Sequence, residues 1–310
     1  MIVDIKNMVK RYKDNIAVDN LNLSVREGEI FGLLGPNGAG KTSLIHALLG
    51  ITKLDSGDVT ILGMNFASYE QEIKRYVGIV PQEIAIFSDL TCYENIALFA
   101  KLYGVSKAQQ KKYITEALEF TGLWEKKNQL PKTFSGGMKR RLNIACGIVH
   151  KPRLIIMDEP TVGIDPQSRN HILNSVRKLN EGGSTIIYTS HYMEEVEEIC
   201  SRIAIMDHGR VIALGSKEEL KALINFEEKM VIDLESDNEL VTEKIRAIDG
   251  VKDCTQESKQ ITIVSKTNSH NLSKVLDAVA AGGGRVWSVT VEKPTLERVF
   301  LTLTGRNLRD

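Results

Sequence analysis

Residues 35–42 limit the possible folds of this chain more than any other feature. They read Gly-Pro-Asn-Gly-Ala-Gly-Lys-Thr and fit the pattern G-x-x-x-x-G-K-[ST]. The apolar run Ile30–Leu34 comes directly before them, and the helical run 43–49 directly after. Glycines let backbone N–H groups close around phosphate oxygens, and a helix N-terminus favours an anion. Strand, loop and helix together predict a phosphate-binding loop in an α/β fold.

The residue types within this loop predict distinct contacts to a nucleotide. The Lys41 ammonium is expected to reach the β- and γ-phosphates, and the Thr42 hydroxyl is expected to bind Mg²⁺. The predicted nucleotide contacts of the loop are Asn37, Gly38, Gly40, Lys41, Thr42 and Ser43. The alternative is a glycine-rich turn that matches the pattern without binding a ligand, and the flanking strand and helix argue against it.

Two adjacent carboxylates end a second apolar run. Residues 154–159 read Leu-Ile-Ile-Met-Asp-Glu, so Asp158 and Glu159 follow a strand-like segment. Asp158 is predicted to hold the Mg²⁺ shell, and Glu159 to act as the general base that polarises an attacking water. On its own, Asp-Glu-Pro after a strand is more typical of a polar turn. The phosphate loop upstream favours the catalytic interpretation.

The composition is that of a globular protein with neutral overall charge. The 310 residues exceed one ordinary domain and predict a large domain with a smaller one. Hydrophobic residues make up 42% and charged residues 26%, which suits a chain with an apolar core. The 40 Lys and Arg residues balance the 40 Asp and Glu residues, so no overall field directs the chain to nucleic acid or anionic lipid.

Cysteine spacing and hydropathy argue against several other classes. The cysteines, at positions 92, 146, 200 and 254, form no CxxC pair, which indicates reduced thiols in a cytosolic protein and no zinc site. Asp4 and Lys6 interrupt the apolar N-terminus, so no signal peptide is expected. Charged residues interrupt the apolar runs before about 18 residues, so no transmembrane helix is expected. A transport function would therefore need a pore formed by another chain.

Strand-like and helix-like segments alternate over about the first 215 residues. Buried strands are predicted at Ile30–Leu34, Val77–Val80, Leu154–Met157 and 185–188, and helical patterns separate several of them. This order indicates an α/β fold with a largely parallel sheet. Residues 91–127 lack strand signals and predict a helical insertion. We therefore predict a large α/β domain at 1–220 with a helical subdomain at about 84–150.

The remaining residues, 221–310, predict a small α+β domain. Strands are predicted at 230–235, 251–255, 261–264 and 285–291, and helices at 238–248 and 271–281, with Lys259 and Gln260 in a turn. The β-α-β-β-α-β order is typical of a ferredoxin-like unit, and a last helix is predicted after Pro294. Two roles stay open for this domain. It would stabilise or regulate a dimer, or it would be a small packed appendage that binds no ligand.

Further motifs follow in an order that resembles the ATP-binding cassette (ABC) ATPases. Residues 134–138 read Phe-Ser-Gly-Gly-Met and resemble the ABC signature, and residues 163–166 read Gly-Ile-Asp-Pro and resemble the D-loop. Gln82 resembles the Q-loop glutamine, His191 the switch histidine, and Tyr12 the aromatic residue that stacks on adenine. With the two motifs above, the resemblance covers roughly residues 1–220 and predicts a P-loop NTPase fold of the ABC type.

The resemblance implies a role for each of these side chains. Tyr12 would offer a ring face to adenine. Gln82 would contact Mg²⁺ and the attacking water, and His191 would hydrogen-bond the γ-phosphate, so both are predicted to be catalytic together with Lys41 and Glu159. The alternatives are a strand aromatic for Tyr12, a solvated loop side chain for Gln82 and a structural histidine for His191. The joint occurrence of the motifs argues against them.

The signature and D-loop residues are implied to act across a dimer. Ser135, Gly136 and Gly137 begin a predicted helix and would bind the γ-phosphate of ATP held by the other subunit. Asp165 would report across the dimer interface. Each also has a local alternative, since Ser135 can N-cap its own helix and Asp165, followed by Pro166, can N-cap the next one. For Asp165 both functions can hold together.

Two departures from the commonest signature indicate a subfamily. Phe134 replaces leucine and Met138 replaces glutamine, while Ser-Gly-Gly is intact. This signature, followed by Lys-Arg-Arg-Leu, resembles the ATPase subunits of bacterial exporters related to daunorubicin and doxorubicin resistance. Residues 294–300 and 303–310 resemble the C-terminal tail of the same group. The resemblance thus extends over nearly the whole chain.

The resemblance also implies two kinds of protein partner for an ATP- and Mg²⁺-dependent machine. A second copy or a paralogous ATPase subunit would face this chain head to tail and complete two ATP sites. A polytopic membrane permease would dock on the insertion, at about 84–127, and hold the chain at the cytoplasmic face of the cell membrane. ATP would favour closure of the dimer, and hydrolysis would release it.

Two rival functions stay open on the sequence alone. One is a soluble ABC ATPase acting on nucleic acid or ribosomes, which neutral charge, a single cassette and the lack of a heptad run disfavour. The other is a scaffold that binds ATP without hydrolysing it, which the presence of Glu159 and His191 disfavours. The transported molecule is not encoded in this chain, because the pathway belongs to the permease.

Overall fold

The computed structural model describes residues 1–224, 228–236, 239–266, 269–292 and 295–305. Residue contacts divide the chain into two compact units, Met1–Lys217 together with the chain end from Leu303, and Glu218–Thr302. Asn238, Pro294 and residues 306–310, on which parts of the sequence prediction rest, lie outside the described residues. Within the described ranges, no helix has the length and apolar character needed to cross a membrane.

Strands and helices alternate along most of the first unit. Its strands are β1 Val3–Tyr12, β2 Asn15–Val25, β3 Ile30–Leu34, β4 Ser56–Ile61, β5 Met64–Asn65, β6 Val77–Val80, β7 Leu154–Met157, β8 Thr185–Thr189, β9 Arg202–Asp207 and β10 Arg210–Gly215. Its helices are α1 Lys41–Leu48, α2 Phe66–Lys74, α3 Cys92–Leu102, α4 Lys107–Phe120, α5 Gly136–Ile148, α6 Pro166–Glu181 and α7 Met193–Ile199, with short 3₁₀ turns at Trp124–Lys126 and Pro131–Thr133.

The central sheet of this unit has the strand order β10-β9-β3-β8-β7-β6. The strands from β9 to β6 run parallel, and β10 pairs antiparallel with β9, so the sheet is mixed. Strands β3, β7 and β8 are fully buried, in agreement with their apolar sequences. Because neighbouring strands are parallel, their carboxyl ends share one edge, and the loops after β3, β6, β7 and β8 meet there.

A second, antiparallel sheet with the order β2-β1-β4-β5 is absent from the sequence prediction. Val3, Ile5 and Val18 from its long strands are buried in the same core as α1. The pairing of β1 with β2 has register shifts, and Asn7 and Asn20 adopt positive φ values of 50° and 49°. These irregularities interrupt the alternation of polar and apolar residues that would identify the strands.

The predicted helical insertion is present as α3 and α4, and α5 packs against both. Thr91 begins α3 with a capping box, in which its hydroxyl accepts a hydrogen bond from the Glu94 N–H and the Glu94 carboxylate accepts one from the Thr91 N–H. Ile96, Leu118 and Leu142, one from each helix, share a buried apolar core. The insertion is therefore packed around a core separate from that of the antiparallel sheet.

The second unit combines an antiparallel sheet with helices. Its elements are α8 Lys217–Ala222, β11 Glu228–Leu234, α9 Glu239–Arg246, β12 Val251–Glu257, β13 Gln260–Ser265, α10 Leu272–Ala281, β14 Val286–Glu292 and α11 Leu296–Thr304. The strand order is β12-β13-β11-β14, with every neighbouring pair antiparallel. Gln260 pairs with Asp233 and Glu257, so the prediction that it lies in the turn is wrong and the turn is at Ser258 and Lys259.

Candidate active site

The loops at the carboxyl edge of the central sheet surround a cleft of about 300 Å³. The phosphate loop follows β3, Gln82 follows β6, Glu159 follows β7, and His191 follows β8. Most of the site residues predicted from the sequence line this cleft: Tyr12, Asn37, Gly38, Gly40, Lys41, Thr42, Ser43, Gln82, Glu159 and His191. The fold therefore brings together side chains that are far apart in the sequence.

Backbone geometry explains the need for glycine in the phosphate loop. Gly40 precedes α1 with a φ of 101°, and a Cβ atom there would lie 2.2 Å from the Ala17 carbonyl oxygen. The turn after β9 also holds the loop, since the Gly209 N–H donates to the Ala39 carbonyl at 3.0 Å. A side chain at position 40 would push the loop away from β2, so the shape of the loop depends on this glycine.

Lys41 begins α1, slightly before the predicted start of that helix, and its side chain is buried. Its ammonium donates to the carbonyl oxygens of Gly35 at 2.7 Å and Pro36 at 3.2 Å. Burial lowers the pKa of Lys41, and the nearby Glu159 and Asp158 oppose that change. The cation is thus held beside a helix N-terminus, where the backbone favours an anion.

Glu159 lies at the centre of a contact network in the cleft. Its side chain is buried, its Oε2 accepts a hydrogen bond from Gln82 Nε2 at 2.9 Å, and its Oε1 contacts His191 Nε2. The Glu159 backbone has a positive φ of 45°. A left-handed conformation costs a non-glycine residue about 1 kcal/mol or more, and such strain is typical of functional sites. The predicted base, switch histidine and Q-loop glutamine are therefore in direct contact.

Asp158 lies beside the cleft and is not among its lining residues. Its Oδ1 accepts a hydrogen bond from Thr189 Oγ1 at 2.7 Å, and the same Thr189 oxygen accepts one from the Glu159 N–H at 2.9 Å. Burial raises the pKa of Asp158, and the charge of Glu159 raises it further, against the Thr189 hydrogen bond and Lys41. Thr189 thus fixes the acidic pair. The sequence prediction missed it, although a polar residue ending a buried strand just before His191 was a signal.

A second missed residue is a buried carboxylate behind the cleft. Glu195 is 2% exposed. Its Oε2 accepts hydrogen bonds from three hydroxyls: Thr161 at 2.8 Å, Tyr188 at 2.8 Å and Ser190 at 2.7 Å. Because Thr161 lies shortly after Glu159 and Ser190 directly precedes His191, this carboxylate holds the two loops in a fixed arrangement. Glu195 is one of several acidic residues on α7, so its sequence context gave no signal.

The signature and D-loop residues lie outside the cleft. The Ser135 hydroxyl accepts a hydrogen bond from the Met138 N–H at 3.3 Å and caps α5. Asp165 Oδ1 accepts one from the Ser168 N–H at 2.9 Å and caps α6. Ser135 and Asp165 thus both act as N-caps, which were the local alternatives considered from the sequence. Neither 135–137 nor Asp165 lines the cleft of the same chain.

Gly136 and Gly137 differ in their surroundings. A Cβ atom on Gly137 would lie 2.4 Å from Ser168 Oγ, whereas the nearest atom to a Cβ on Gly136 would be 4.0 Å away. Gly137 therefore allows the N-terminal ends of α5 and α6 to pack closely. Gly136 instead leaves the start of α5 open to approach from outside.

Gly137→Ala is expected to lower the free energy of unfolding by roughly 1–3 kcal/mol, because the added methyl group overlaps Ser168. Combining it with Ser168→Gly should restore most of the loss, since the overlapping side chain is then removed. Urea unfolding followed by circular dichroism measures both effects. Gly136→Ala is the matched control and should not be destabilised. Parent stability in Gly137→Ala would contradict this account of the packing.

Tyr12 ends β1 and lines the cleft, and the residue is 43% exposed. The Lys10 ammonium lies 5.0 Å from the ring centroid. The ring is thus available for a stacking contact instead of being packed into the sheet, which was the alternative for this residue.

The arrangement defines a class of protein. A phosphate loop joins a strand to a helix at the carboxyl edge of a mixed sheet, with an acidic pair after a neighbouring strand. The cleft at that edge holds a lysine, a carboxylate, a glutamine and a histidine. This is the arrangement of a P-loop nucleotide-binding protein.

The sequence patterns of two known families match this chain. The pattern described as ABC transporter matches residues 18–162. The pattern described as ATP-binding protein DrrA1-3-like, C-terminal domain, matches residues 215–304. The two matches together span most of both units.

Individual proteins show the same similarity. The linearmycin resistance ATP-binding protein LnrL of Bacillus subtilis (strain 168) is 44% identical over 307 residues, covering 98% of this chain and 99% of that protein. The daunorubicin resistance ATP-binding protein DrrA2 of Streptomyces coeruleorubidus is 34% identical over 300 residues, covering 96% of this chain and 93% of that protein. A solved dimer of an ATP-binding cassette in a post-hydrolysis state with ADP and Pi matches with a TM-score of 0.63 and 27% identity, over 69% of this chain and 98% of that chain.

The chain therefore belongs to the ABC transporter ATP-binding proteins, in the export group that contains LnrL and DrrA2. It is the ATP-binding and ATP-hydrolysing subunit of an ABC exporter. The resemblance to the daunorubicin-resistance exporters, inferred from the signature and the tail, is confirmed.

Proposed function

We propose that two copies of this chain clamp two ATP molecules head to tail, and that closure and hydrolysis drive a separate membrane permease. The observation that carries the proposal is the separation of two half-sites in one chain. Lys41, Glu159 and His191 line the cleft, while the open helix start at Ser135 and Gly136 does not. A second copy would bring its own helix start to this cleft, and two-fold symmetry would make both sites equivalent. The dimeric cassette structure supports this arrangement by analogy.

Hydrolysis is assigned to the contact network of the cleft. Glu159 would accept a proton from the attacking water, and Gln82 and His191, which contact its two oxygens, would hold the water and the γ-phosphate in line. Lys41 would leave the loop carbonyls for the β- and γ-phosphate oxygens, which are stronger acceptors. The three side chains act on one phosphate because the fold fixes their separation.

Oxygen-bearing side chains that line the cleft or lie directly beside it fit Mg²⁺. The Thr42 hydroxyl, the Asp158 carboxylate and the Gln82 amide oxygen are hard ligands of the kind that this ion prefers. Gln82 donates through its amide nitrogen to Glu159, which leaves its amide oxygen as an acceptor. The ion would neutralise charge on the β- and γ-phosphates.

An apolar groove of about 370 Å³ supports the proposed permease contact. Its lining includes Ile51 after α1, Phe66 at the start of α2 and Pro81 after β6, together with Tyr103 from the helical insertion. Ile51 is 63% exposed and borders this groove, so its side chain adds to one continuous apolar surface instead of standing alone. We propose that a helix of the permease docks in this groove. Of the helical insertion at about 84–127, only the residues that border the groove would then contact the permease. Docking would hold the chain at the cytoplasmic face of the membrane.

The exported molecule is proposed from the relatives alone. Because LnrL and DrrA2 are named for resistance to linearmycin and daunorubicin, we propose an antibiotic or a similar small molecule as cargo. Its recognition would belong to the permease.

The C-terminal residues 221–310 are proposed to form a ferredoxin-like domain after an ABC ATPase domain at 1–220. The β-α-β-β-α-β order and the antiparallel order β12-β13-β11-β14 support this fold. We propose that it stabilises or regulates the dimer.

Co-purification tests the proposed partner. Tagged Glu159→Gln protein, isolated with ATP from detergent-solubilised membranes of its host, should carry a polytopic membrane protein in comparable amount. Ile51→Glu should lose that partner while still binding ATP, and Leu240→Glu, which changes an equally exposed leucine in the second unit, should keep it. Recovery of ribosomes, nucleic acid or only soluble proteins would refute the transport assignment and favour the rival function.

A further inference from the structure

Arg140 joins α5 to the loop that carries Gln82. Its side chain is 3% exposed. Nη1 donates to the Pro81 carbonyl oxygen at 2.7 Å, and Nη2 donates to the Gln82 carbonyl oxygen at 2.6 Å. One planar guanidinium therefore holds two consecutive peptide groups in a fixed orientation.

Asn143, one turn further along α5, extends this contact. Its Oδ1 accepts a hydrogen bond from the Ala85 N–H at 3.2 Å, and its Nδ2 lies 3.5 Å from the Pro81 carbonyl oxygen. The loop from 81 to 85 is thus bound to α5 near both of its ends. It cannot move independently of that helix without breaking these hydrogen bonds.

The burial of a charge indicates that this contact does more than fill space. Arg140 donates to carbonyl oxygens, which carry no formal charge, and in the part of the chain that the structure describes its Nε has no hydrogen-bond partner. Burial lowers the pKa of Arg140. An uncharged side chain of similar size would avoid the desolvation penalty. What arginine adds is the rigid fork that orients two carbonyls together.

The loop held by Arg140 contributes to both the apolar groove and the cleft. Helix α5, which carries Arg140, begins at the signature segment. Pro81 lines the apolar groove, and Gln82 donates to Glu159 in the cleft. The same helix begins directly after Ser135. Ser135 and Arg140 are about 7.5 Å apart along the helix axis. Because one helix joins them, a displacement of Ser135 moves Arg140 with it.

We propose that Arg140 is a positioning residue that couples the signature segment 135–137 to Gln82 of the same chain. This coupling rests on the dimer of the proposed function. When the segment of one chain docks on the ATP held by the second copy, Arg140 brings Gln82 into position against Glu159 in the first chain's own site. Hydrolysis at the two sites is then cooperative. The Pro81 contact carries the same displacement to the groove.

Arg140→Met tests this coupling, because it removes the fork and keeps an unbranched side chain. ATP affinity, measured by equilibrium dialysis, should change by less than about 3-fold, since the phosphate loop is untouched. The kcat of ATP hydrolysis should fall at least about 10-fold, and the Hill coefficient for ATP should fall from above 1 to 1. Arg140→Lys keeps the charge but not the planar fork. It should likewise leave ATP affinity unchanged and lower kcat and the Hill coefficient, by less than Arg140→Met does.

Arg141→Met is the matched control on the same helix. Arg141 Nη1 donates to the Thr121 carbonyl at 3.1 Å, away from the Gln82 loop, so kcat and cooperativity should stay at parent values. Parent kinetics in Arg140→Met, an equal loss in Arg141→Met, or a parent Hill coefficient of 1 would each overturn the coupling. If Arg140→Met does not fold, Arg140→Lys decides by the same readouts. Failure of Glu159→Gln to dimerise with ATP would instead refute the dimer itself.

Discussion

Glu159→Gln is expected to slow ATP hydrolysis by about 10²- to 10⁴-fold, the usual effect of removing a general base. The amide keeps the shape of the carboxylate and can still contact Gln82 and His191, but it cannot accept a proton from water. ATP binding should persist, because most of the proposed phosphate contacts belong to the phosphate loop, which this substitution leaves unchanged. The ATP-closed dimer should therefore accumulate.

Release of phosphate from stoichiometric ATP measures the slow step, and equilibrium dialysis measures the retained affinity. Glu198→Gln serves as the control, because Glu198 is a surface carboxylate paired with Arg177 and lies outside the cleft. Its rate should equal that of the parent. Parent-like hydrolysis by Glu159→Gln would remove Glu159 from the mechanism and assign the proton to another acceptor.

Lys41→Ala is expected to weaken ATP binding by roughly 10- to 100-fold and to reduce hydrolysis to background. The variant loses a cation that would make charge-assisted hydrogen bonds to phosphate, each with a net contribution of about 1.5–3 kcal/mol. It also leaves the Gly35 and Pro36 carbonyls without their donor, so the loop itself should become less ordered. Titration with a fluorescent ATP analogue gives the affinity.

Lys112→Ala provides the comparison for Lys41→Ala. Lys112 is an exposed lysine paired with Glu116 on α4, and its removal should leave both affinity and rate unchanged. The Lys41 assignment would be wrong if the two alanine variants bound ATP equally well.

The features that the sequence predicted correctly depend on local patterns. The apolar runs at β3, β6 and β7 have the same bounds in the structure as in the prediction. Parallel strands place their carboxyl ends at one edge, so residues that follow β6, β7 and β8 are expected at the cleft. The family resemblance was needed to select Gln82 and His191 among those residues. The roles of these residues remain predictions until the variants are measured.

The features that the sequence did not predict depend on contacts between distant segments. Glu195 gains importance because three hydroxyls, one from strand β8 and two from the loops after β7 and β8, donate to one of its oxygens. The position of Arg140 opposite the Pro81 and Gln82 carbonyls requires α5 to pack on that loop. The antiparallel sheet was missed for a local reason, since bulges near Asn7 disrupt the alternation of β1.

Gly137 shows how one residue can carry two constraints. The family resemblance assigns it to ATP held by the second subunit, and the structure adds the close approach of Ser168 within the chain. Because a substitution there changes stability as well as the interface, its effect on activity alone is ambiguous. Ser135 is exposed and is therefore the better position for testing the interface.

The measurement that most directly tests shared ATP sites is complementation between two inactive variants. Lys41→Ala removes the phosphate contact of a chain's own cleft, and Ser135→Arg blocks the segment that it offers to its partner. Each variant alone should be inactive. Mixed together with the permease, they should recover ATP hydrolysis above the sum of the two, because one site of each mixed dimer is intact. The recovered rate should stay about 10-fold or more below the parent rate, because the coupling through Arg140 needs ATP docked at both sites. A mixture as inactive as its components would contradict the account that each site is built from two chains.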